Sequence, residues 1–194
     1  MYTGKRDRLR RAEWRVAPAP FHDGKRMVEE FHYSRGGSNT FVYMHGLYRN
    51  DDNWLAGVAW WLPPTRVACE SVNKENWQKV LSLTRLVIHP DAPANACSFL
   101  LSRSVALIWD GGRFDSLVTY ADEAMQHTGS IYRAANWQYA GRTGPYPRWE
   151  DKAGRQVAPK ATVNRTKAQM EALGHKRVGS YHKHKFVLHK PLTH

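Results

Sequence analysis

What most constrains this chain is the succession of element types packed into residues 83–141. LTRLVIHP (83–90) reads as a strand, DAPANA (91–96) as a Pro-containing loop and CSFLLSRSVALIW (97–109) as an apolar helix. A second apolar run at Leu117 and Val118 ends on Tyr120 and Asp122, followed by a His127-Thr128-Gly129 turn and an aromatic-rich helix expected to begin near Thr128. The order is strand, loop, helix, strand, turn, helix, the βαβα core of an α/β sheet. A carboxylate just past an apolar strand sits where such a sheet opens into its ligand crevice. A helix starting nearby would aim backbone N–H groups at the same space.

The remaining elements surround that core. Asp23 is expected to cap a helix running through Val28, Phe31 and His32. TFVYMHGLYR (40–49) and WLAGVAWWLP (54–63) form a hairpin across Asn50-Asp51-Asp52-Asn53, residue types that suit a turn. NKENWQKVL is expected to be a short helix, residues 137–143 an extended segment and GPYPRW a loop. Asn164 is the expected cap of RTKAQMEALG, and HKHKFVLHK closes the chain as a strand. The fold class is α/β (α+β), with an antiparallel first half and a central mixed, mostly antiparallel sheet flanked by helices.

At 194 residues the chain is long enough to bury one sizeable core, and one domain is expected. Its charge has a strong sign. Lys and Arg number 29 against 17 Asp and Glu, a net +12, so a polyanion is the default partner. The excess is concentrated at the ends. Lys5, Arg6, Arg8, Arg10, Arg11 and Arg15 form a basic arm, placed at residues 1–20, and residues 152–190 carry almost no acid beyond Glu171. The domain proper is placed at 21–194. Two basic segments flanking a crevice-bearing sheet point to a phosphate backbone held across it, with Lys183 and Lys185 among the contacts.

Cys69 and Cys97 have no CxxC spacing, which argues against zinc and disulfide frameworks and fits a reducing cytosol. MYTGKRDRLRRAEWR lacks an apolar core of the kind an export signal needs, and no run approaches membrane length. A soluble, cytoplasmic protein is expected, and a homodimer is an open option.

FHYSRG at Phe31, TRLVIHPDAPANACSFLLSRS at Thr84, LVTYADEAMQHTGSIYRAANWQYAGRT at Leu117 and the terminal KHKFVLHK resemble the Mom family of phage DNA-modification proteins. The similarity spans roughly residues 25–190 in order, and its most specific part is the block from YAD to IYRAANW. The resemblance implies a single-domain fold like that of the GNAT acyltransferases. It also implies conversion of adenine in duplex DNA to an N6-(carbamoylmethyl) derivative that blocks host restriction. The family's functional residues fall on His32, Tyr33, Arg85, Asp122 and Tyr132.

One segment departs from the wider GNAT pattern. The acyl-CoA loop of that superfamily resembles [RQ]xxGx[GA], whose glycines let backbone N–H groups cradle a pyrophosphate. Here the equivalent residues 91–96 contain no glycine and begin with a carboxylate. The methylene on N6 of the family's product is also not what acyl transfer makes. The donor is therefore left open between acetyl-CoA and another small molecule, with Asn95, Ser98 and His127 as candidate donor contacts.

Each candidate has a plain structural role beside its chemical one. His32 is either a partner for a helix C-terminus or, with Tyr33, a proton relay or metal ligand. Arg85 lies inside an apolar strand, where an unpaired guanidinium is costly, so a buried partner is expected, with Asp122 the candidate. That pair is either structural or a device for orienting Asp122 or gripping a donor carboxylate. Tyr132 either packs in the core or acts as an acid or stacking partner. His32 and Asp122, with His89 and His127 nearby in type, supply donors suited to iron or zinc, although their spacing matches no closed metal motif.

Adenine N6 is a weak nucleophile inside stacked DNA, so extrusion of the base is expected. Trp60, Trp61, Trp137, Tyr146 and Trp149 are candidate stacking faces, and Asn136 is a weaker candidate for reading the base. Alternation along VAWWL turns only one of Trp60 and Trp61 inward and leaves the other for DNA. Two further classes stay open from sequence: a GNAT N-acetyltransferase acting on a protein or small molecule, and a non-catalytic DNA-binding protein.

Overall fold

The computed structural model describes residues 7–157, 161–162 and 164–191 of the protein; Lys5 and Arg6 of the basic arm and His194 lie outside them. The elements are β1 (Trp14–Pro18), α1 (Phe21–Phe31), β2 (Tyr43–Arg49), β3 (Leu55–Leu62), α2 (Arg66–Glu70), β4 (Val80–Ile88), α3 (Ala96–Asp110), β5 (Ser116–Asp122), α4 (Ser130–Ala134), β6 (Gln138–Arg142), β7 (Tyr146–Glu150), α5 (Lys167–Ala172), β8 (Lys176–Tyr181) and β9 (Lys183–His189). Seven strands form one sheet in the order β1-β2-β3-β4-β5-β9-β6, and β7 and β8 form a separate antiparallel pair. Within the large sheet only β4 and β5 run parallel, joined by α3 as the crossover helix.

Helices cover both faces of this sheet. On one face α1 brings Met27 and Val28 against Met44, Val58, Trp60 and Val87. On the other, α3 brings Leu100, Leu101 and Ile108 against Leu47, Ala59, Trp61 and Leu83. Trp60 and Trp61 do point to opposite faces, as alternation demands, yet both are 0% exposed. Neither is available to stack on DNA, because each face of the sheet has its own helix. Trp60 Nε1 donates to the Thr40 carbonyl at 3.1 Å and Trp61 Nε1 to Ser104 Oγ at 2.8 Å. Burying a Trp stabilises by on the order of 5 kcal/mol, more than the roughly 1–3 kcal/mol of stacking on one base.

Several boundaries differ from the sequence expectation. β1 pairs with β2 from Trp14 opposite Arg49 to Pro18 opposite His45, so residues placed in a basic arm form the edge of the sheet. α1 starts directly after Pro20, and Asp23 sits in its first turn paired with Arg26 at 3.1 Å rather than capping it. α5 is capped by Thr166, not Asn164: Thr166 Oγ1 accepts from Gln169 N at 3.2 Å, and Gln169 Oε1 accepts from Thr166 N at 2.8 Å. The expected helix at 73–81 reduces to a 3-10 turn, Trp77–Lys79, running into β4. GPYPRW is not a loop, since Tyr146 to Glu150 pair with β8.

Candidate active site

β4 and β5 pair only from Val80 opposite Ser116 to Leu83 opposite Thr119, although β4 continues to Ile88 and β5 to Asp122. Beyond that point β4 stays on β3 and β5 stays on β9. The two strands therefore part, and the sheet opens between them. A bulge on β4 assists. Trp60 faces Arg85 while Trp61 faces Leu83, leaving Thr84 as the extra residue, its hydroxyl donating to the Trp60 carbonyl at 3.0 Å.

A cavity of about 290 Å³ fills the opening. His32 and Tyr33 reach it from the end of α1, Arg85 from β4, His127 from the turn after β5, and Tyr132 from α4. His32 and Tyr33 lie with ring centroids 4.3 Å apart, and the edge of His127 meets Tyr33 at 5.4 Å. Tyr33 is 40% exposed, so the aromatic cluster borders both cavity and solvent. Gly129 has φ +73°, and a Cβ there would collide with the Phe186 ring, which explains why glycine ends the His-Thr-Gly turn. α4 itself starts at Ser130, two residues later than expected.

Four of the cavity side chains, His32, Tyr33, Cys97 and Tyr132, are shifted toward their neutral forms. Burial, then the charge of Arg85 and then His127, lowers the pKa of His32 from 6.5 to about 4. His32 Nδ1 lies 2.8 Å from Ser34 Oγ and 3.1 Å from the Ser34 backbone N–H; the backbone N–H can only donate, and with Nδ1 as its acceptor the proton of the neutral ring sits on Nε2. Burial and the nearby Asp122 raise the pKa of Tyr33, against the opposing pull of Arg85. Burial pushes Tyr132 up to about 12 and Cys97 up to about 11, so neither a tyrosinate nor a thiolate is available at neutral pH.

Arg85 and Asp122 do not form the expected pair. Arg85 Nε donates to the Gly36 carbonyl at 2.9 Å and Nη1 to the Thr84 carbonyl at 2.7 Å, while Nη2 has no hydrogen bond among the described residues. Backbone oxygens thus solve the burial problem that sequence alone assigned to a carboxylate. Asp122, buried at the end of β5, instead accepts the Tyr146 hydroxyl and the Ala124 N–H, the latter at 3.0 Å. Burial and this bond raise the Tyr146 pKa. Tyr146 was expected only as a stacking face; the alternation of TGPYPRW was the available signal that it sits on a strand, masked by Pro145 and Pro147.

A family model described as the Mom protein family matches residues 13–190. The chain belongs to this family. No curated protein matches the chain. Its fold is that of the GNAT acetyltransferases. An acetyltransferase from Bacillus subtilis in complex with CoA is 8% identical with a TM-score of 0.56, covering 92% of this chain and 99% of its own. The ribosomal-protein-S18-alanine N-acetyltransferase of Escherichia coli is 10% identical with a TM-score of 0.54, covering 93% and 96%. Spermidine N-acetyltransferase from Vibrio cholerae, in complex with CoA and spermine, is 5% identical with a TM-score of 0.54, covering 92% and 96%.

Within this Mom family member the other candidates fall outside the cavity. Asn95 is in the left-handed region at φ 60°, and its Oδ1 accepts from Leu9 N at 3.1 Å. Ser98 Oγ donates to the Asn95 carbonyl at 2.9 Å. His89 is packed against Phe31 and Trp54, with centroids at 4.6 and 5.1 Å, in a different pocket from His32.

The residues do not fit iron or zinc. Among the described residues no three His, Cys, Asp or Glu side chains group as a metal site. His32 feels the cation of Arg85, which opposes a second cation beside it, and Asp122 Oδ1 is occupied by Tyr146 and Ala124, leaving only Oδ2.

Trp137 and Trp149 are buried as well, Trp137 stacked at 6.5 Å on Trp61, so neither presents a face to DNA. Lys185 Nζ donates to the Ser71 carbonyl at 3.0 Å and Ser71 Oγ at 2.8 Å, which ties it to the protein rather than to a phosphate. Lys183 stands opposite Asp122 across β5 and β9, over the Tyr146 ring at 5.2 Å. No helix among the described residues is long and apolar enough to cross a membrane.

Proposed function

We propose that the protein is a transferase that converts adenine in duplex DNA to N6-(carbamoylmethyl)adenine and so shields the DNA from restriction, acting in the host cytoplasm. The observation that carries this reading is the convergence of His32, Tyr33, Arg85 and Tyr132 on one cavity with Asp122 at its edge. These residues come from α1, β4, β5 and α4 and are the positions at which the family resemblance is functional.

The roles follow from protonation and placement. Duplex DNA hides adenine N6, so the base is extruded. Tyr33, exposed beside the cavity, is the face on which the extruded base stacks. His32 Nε2–H and the open Arg85 Nη2 are the donors that polarise a carbonyl of the incoming group. N6 attacks the methylene carbon of the donor, the bond from that carbon to its leaving group breaks with the electron pair going to the leaving group, and the proton lost from N6 passes to the Asp122 carboxylate, directly or through Tyr33. Exposed Lys152, Lys176 and Arg177 join Lys183 as the phosphate contacts on the β7–β8 side.

Nucleoside mass spectrometry of DNA from cells expressing the protein tests the reading. A carbamoylmethyl adenosine with the native protein, absent with Asp122→Asn, is the expected result; unmodified adenosine with well-folded native protein defeats it. The second reading, N-acetylation of a protein or small-molecule amine, is favoured by the fold of the solved relatives. Acetylated cell components and unmodified DNA would support it instead.

A further inference from the structure

The loop between β4 and α3, residues 91–96, is where a GNAT fold receives the pyrophosphate of coenzyme A, and here the chain itself occupies it. Residues 7–9 lie along it as a short parallel bridge, Arg8 beside Ala94. Ala94 N–H donates to the Asp7 carbonyl at 2.9 Å. Leu9 N–H donates to the Ala94 carbonyl at 3.2 Å and to Asn95 Oδ1 at 3.1 Å. The Leu9 side chain is buried in the same core cluster as Ala92 and Ala96, so the segment is anchored by apolar packing as well as by hydrogen bonds.

Three more amides of the loop are also committed. Asp91 N–H donates to His89 Nδ1 at 3.1 Å, Ala92 N–H to the His89 carbonyl at 3.0 Å, and Ala96 N–H to the Pro93 carbonyl at 3.2 Å. A phosphate held by backbone needs several free N–H groups converging on it. At this loop Asp91, Ala92, Ala94 and Ala96 all donate within the protein and Pro93 has no N–H to give, which leaves the single Asn95 N–H, too few to hold a diphosphate. Beyond the loop the cavity holds about 290 Å³, at the lower end of the roughly 300–1,000 Å³ of small-molecule sites.

We propose that residues 7–9 are a permanent occupant of the pyrophosphate cradle, so that this transferase takes a compact donor with no diphosphate handle, held by the cavity alone. Arg85 Nη2 and His32 Nε2–H select a carboxylate or carboxamide group on that donor. The inference rests on the transferase reading of the site, but its test needs neither DNA nor turnover, so it fails or stands separately from adenine modification.

Two measurements on the full chain test it. In the first, amide hydrogen exchange is followed with and without saturating acetyl-CoA. Leu9 and Ala94 are expected to be protected and to remain so; loss of protection at Leu9 with new protection at Asn95 and Cys97 overturns the proposal. In the second, acetyl-CoA and acetyl-pantetheine, which share the thioester but not the diphosphate, are compared by calorimetry. Equal affinities, or no binding by either, are expected, whereas about tenfold tighter binding of acetyl-CoA, the 1.4 kcal/mol of a working phosphate contact, shows an open cradle.

Discussion

The Tyr146 hydroxyl donates to Oδ1 of Asp122, joining the small β7–β8 sheet to the end of β5 at the edge of the cavity. Two parts of the fold that share no ladder are thus fastened through the carboxylate proposed to act on N6. Tyr146→Phe removes a charge-assisted bond and should cost about 1.5–3 kcal/mol of stability. It should also lower adenine modification, because Asp122 is no longer held in place. Asp122→Asn is nearly isosteric and leaves Arg85 on its own carbonyl partners, so it should abolish modification with little change in melting temperature. A large melting shift with unchanged turnover per folded molecule would make Asp122 a structural residue.

Arg85→Lys should be a damaging substitution in spite of the retained charge. A single ammonium cannot serve both the Gly36 and Thr84 carbonyls in the planar geometry that the guanidinium offers. The Gly36 carbonyl keeps its bond from Ser34 Oγ at 3.0 Å, so the penalty falls on the half-buried Thr84 carbonyl, about 1–3 kcal/mol if left unpaired, and the loop carrying Gly36 leads back to His32. Chemical denaturation should register the loss, and the modification rate should fall with it.

The aromatics divide into packing and contact groups. Tyr33→Ala should weaken binding of DNA containing an unpaired adenine by about 1–3 kcal/mol, the worth of one stacked base. Trp60→Phe should leave that affinity unchanged while lowering stability by on the order of 2 kcal/mol, through a smaller ring and the lost bond to Thr40. Equilibrium binding and thermal melts on both variants separate the groups. A Trp60→Phe defect confined to DNA affinity would contradict the buried position.

Stability should fall on mild acidification. His45 is buried, with Nδ1 against Ser104 Oγ at 2.7 Å, and burial lowers its pKa from 6.5 to about 4. The unfolded chain takes up the proton first, so the stabilisation is complete above pH 6.5 and is lost as pH falls toward 4. The loss amounts to on the order of 3 kcal/mol for a shift of this size. His32 shifts in the same direction and adds to it. Unfolding free energies across this interval should slope less in His45→Gln than in the native protein.

The βαβα core, the hairpin across residues 50–53 and the closing strand at 182–190 were legible in the sequence, because strand and helix periods are local and their punctuation by Gly, Pro and Asn is local too. The meeting of His32, Tyr33, Arg85 and Tyr132 was legible only through a family resemblance. No spacing along the chain encodes it, and it depends on β4 and β5 parting after Leu83 and Thr119.

Tertiary structure alone decided which partners several polar and aromatic side chains meet. Arg85 found carbonyls rather than Asp122, Asp122 found Tyr146, and Lys185 found Ser71. Trp60 and Trp61 were split between two cores because helices cover both faces of their strand. Residues 7–9 came to rest on the α3 loop. Sequence determines which buried donors and acceptors call for a partner, since leaving one bare is costly, although Trp137 Nε1, Arg148 Nε and His175 Nδ1 meet none among the described residues. Which of many chemically equivalent partners such a group meets is set by long-range packing, which carries no local signature.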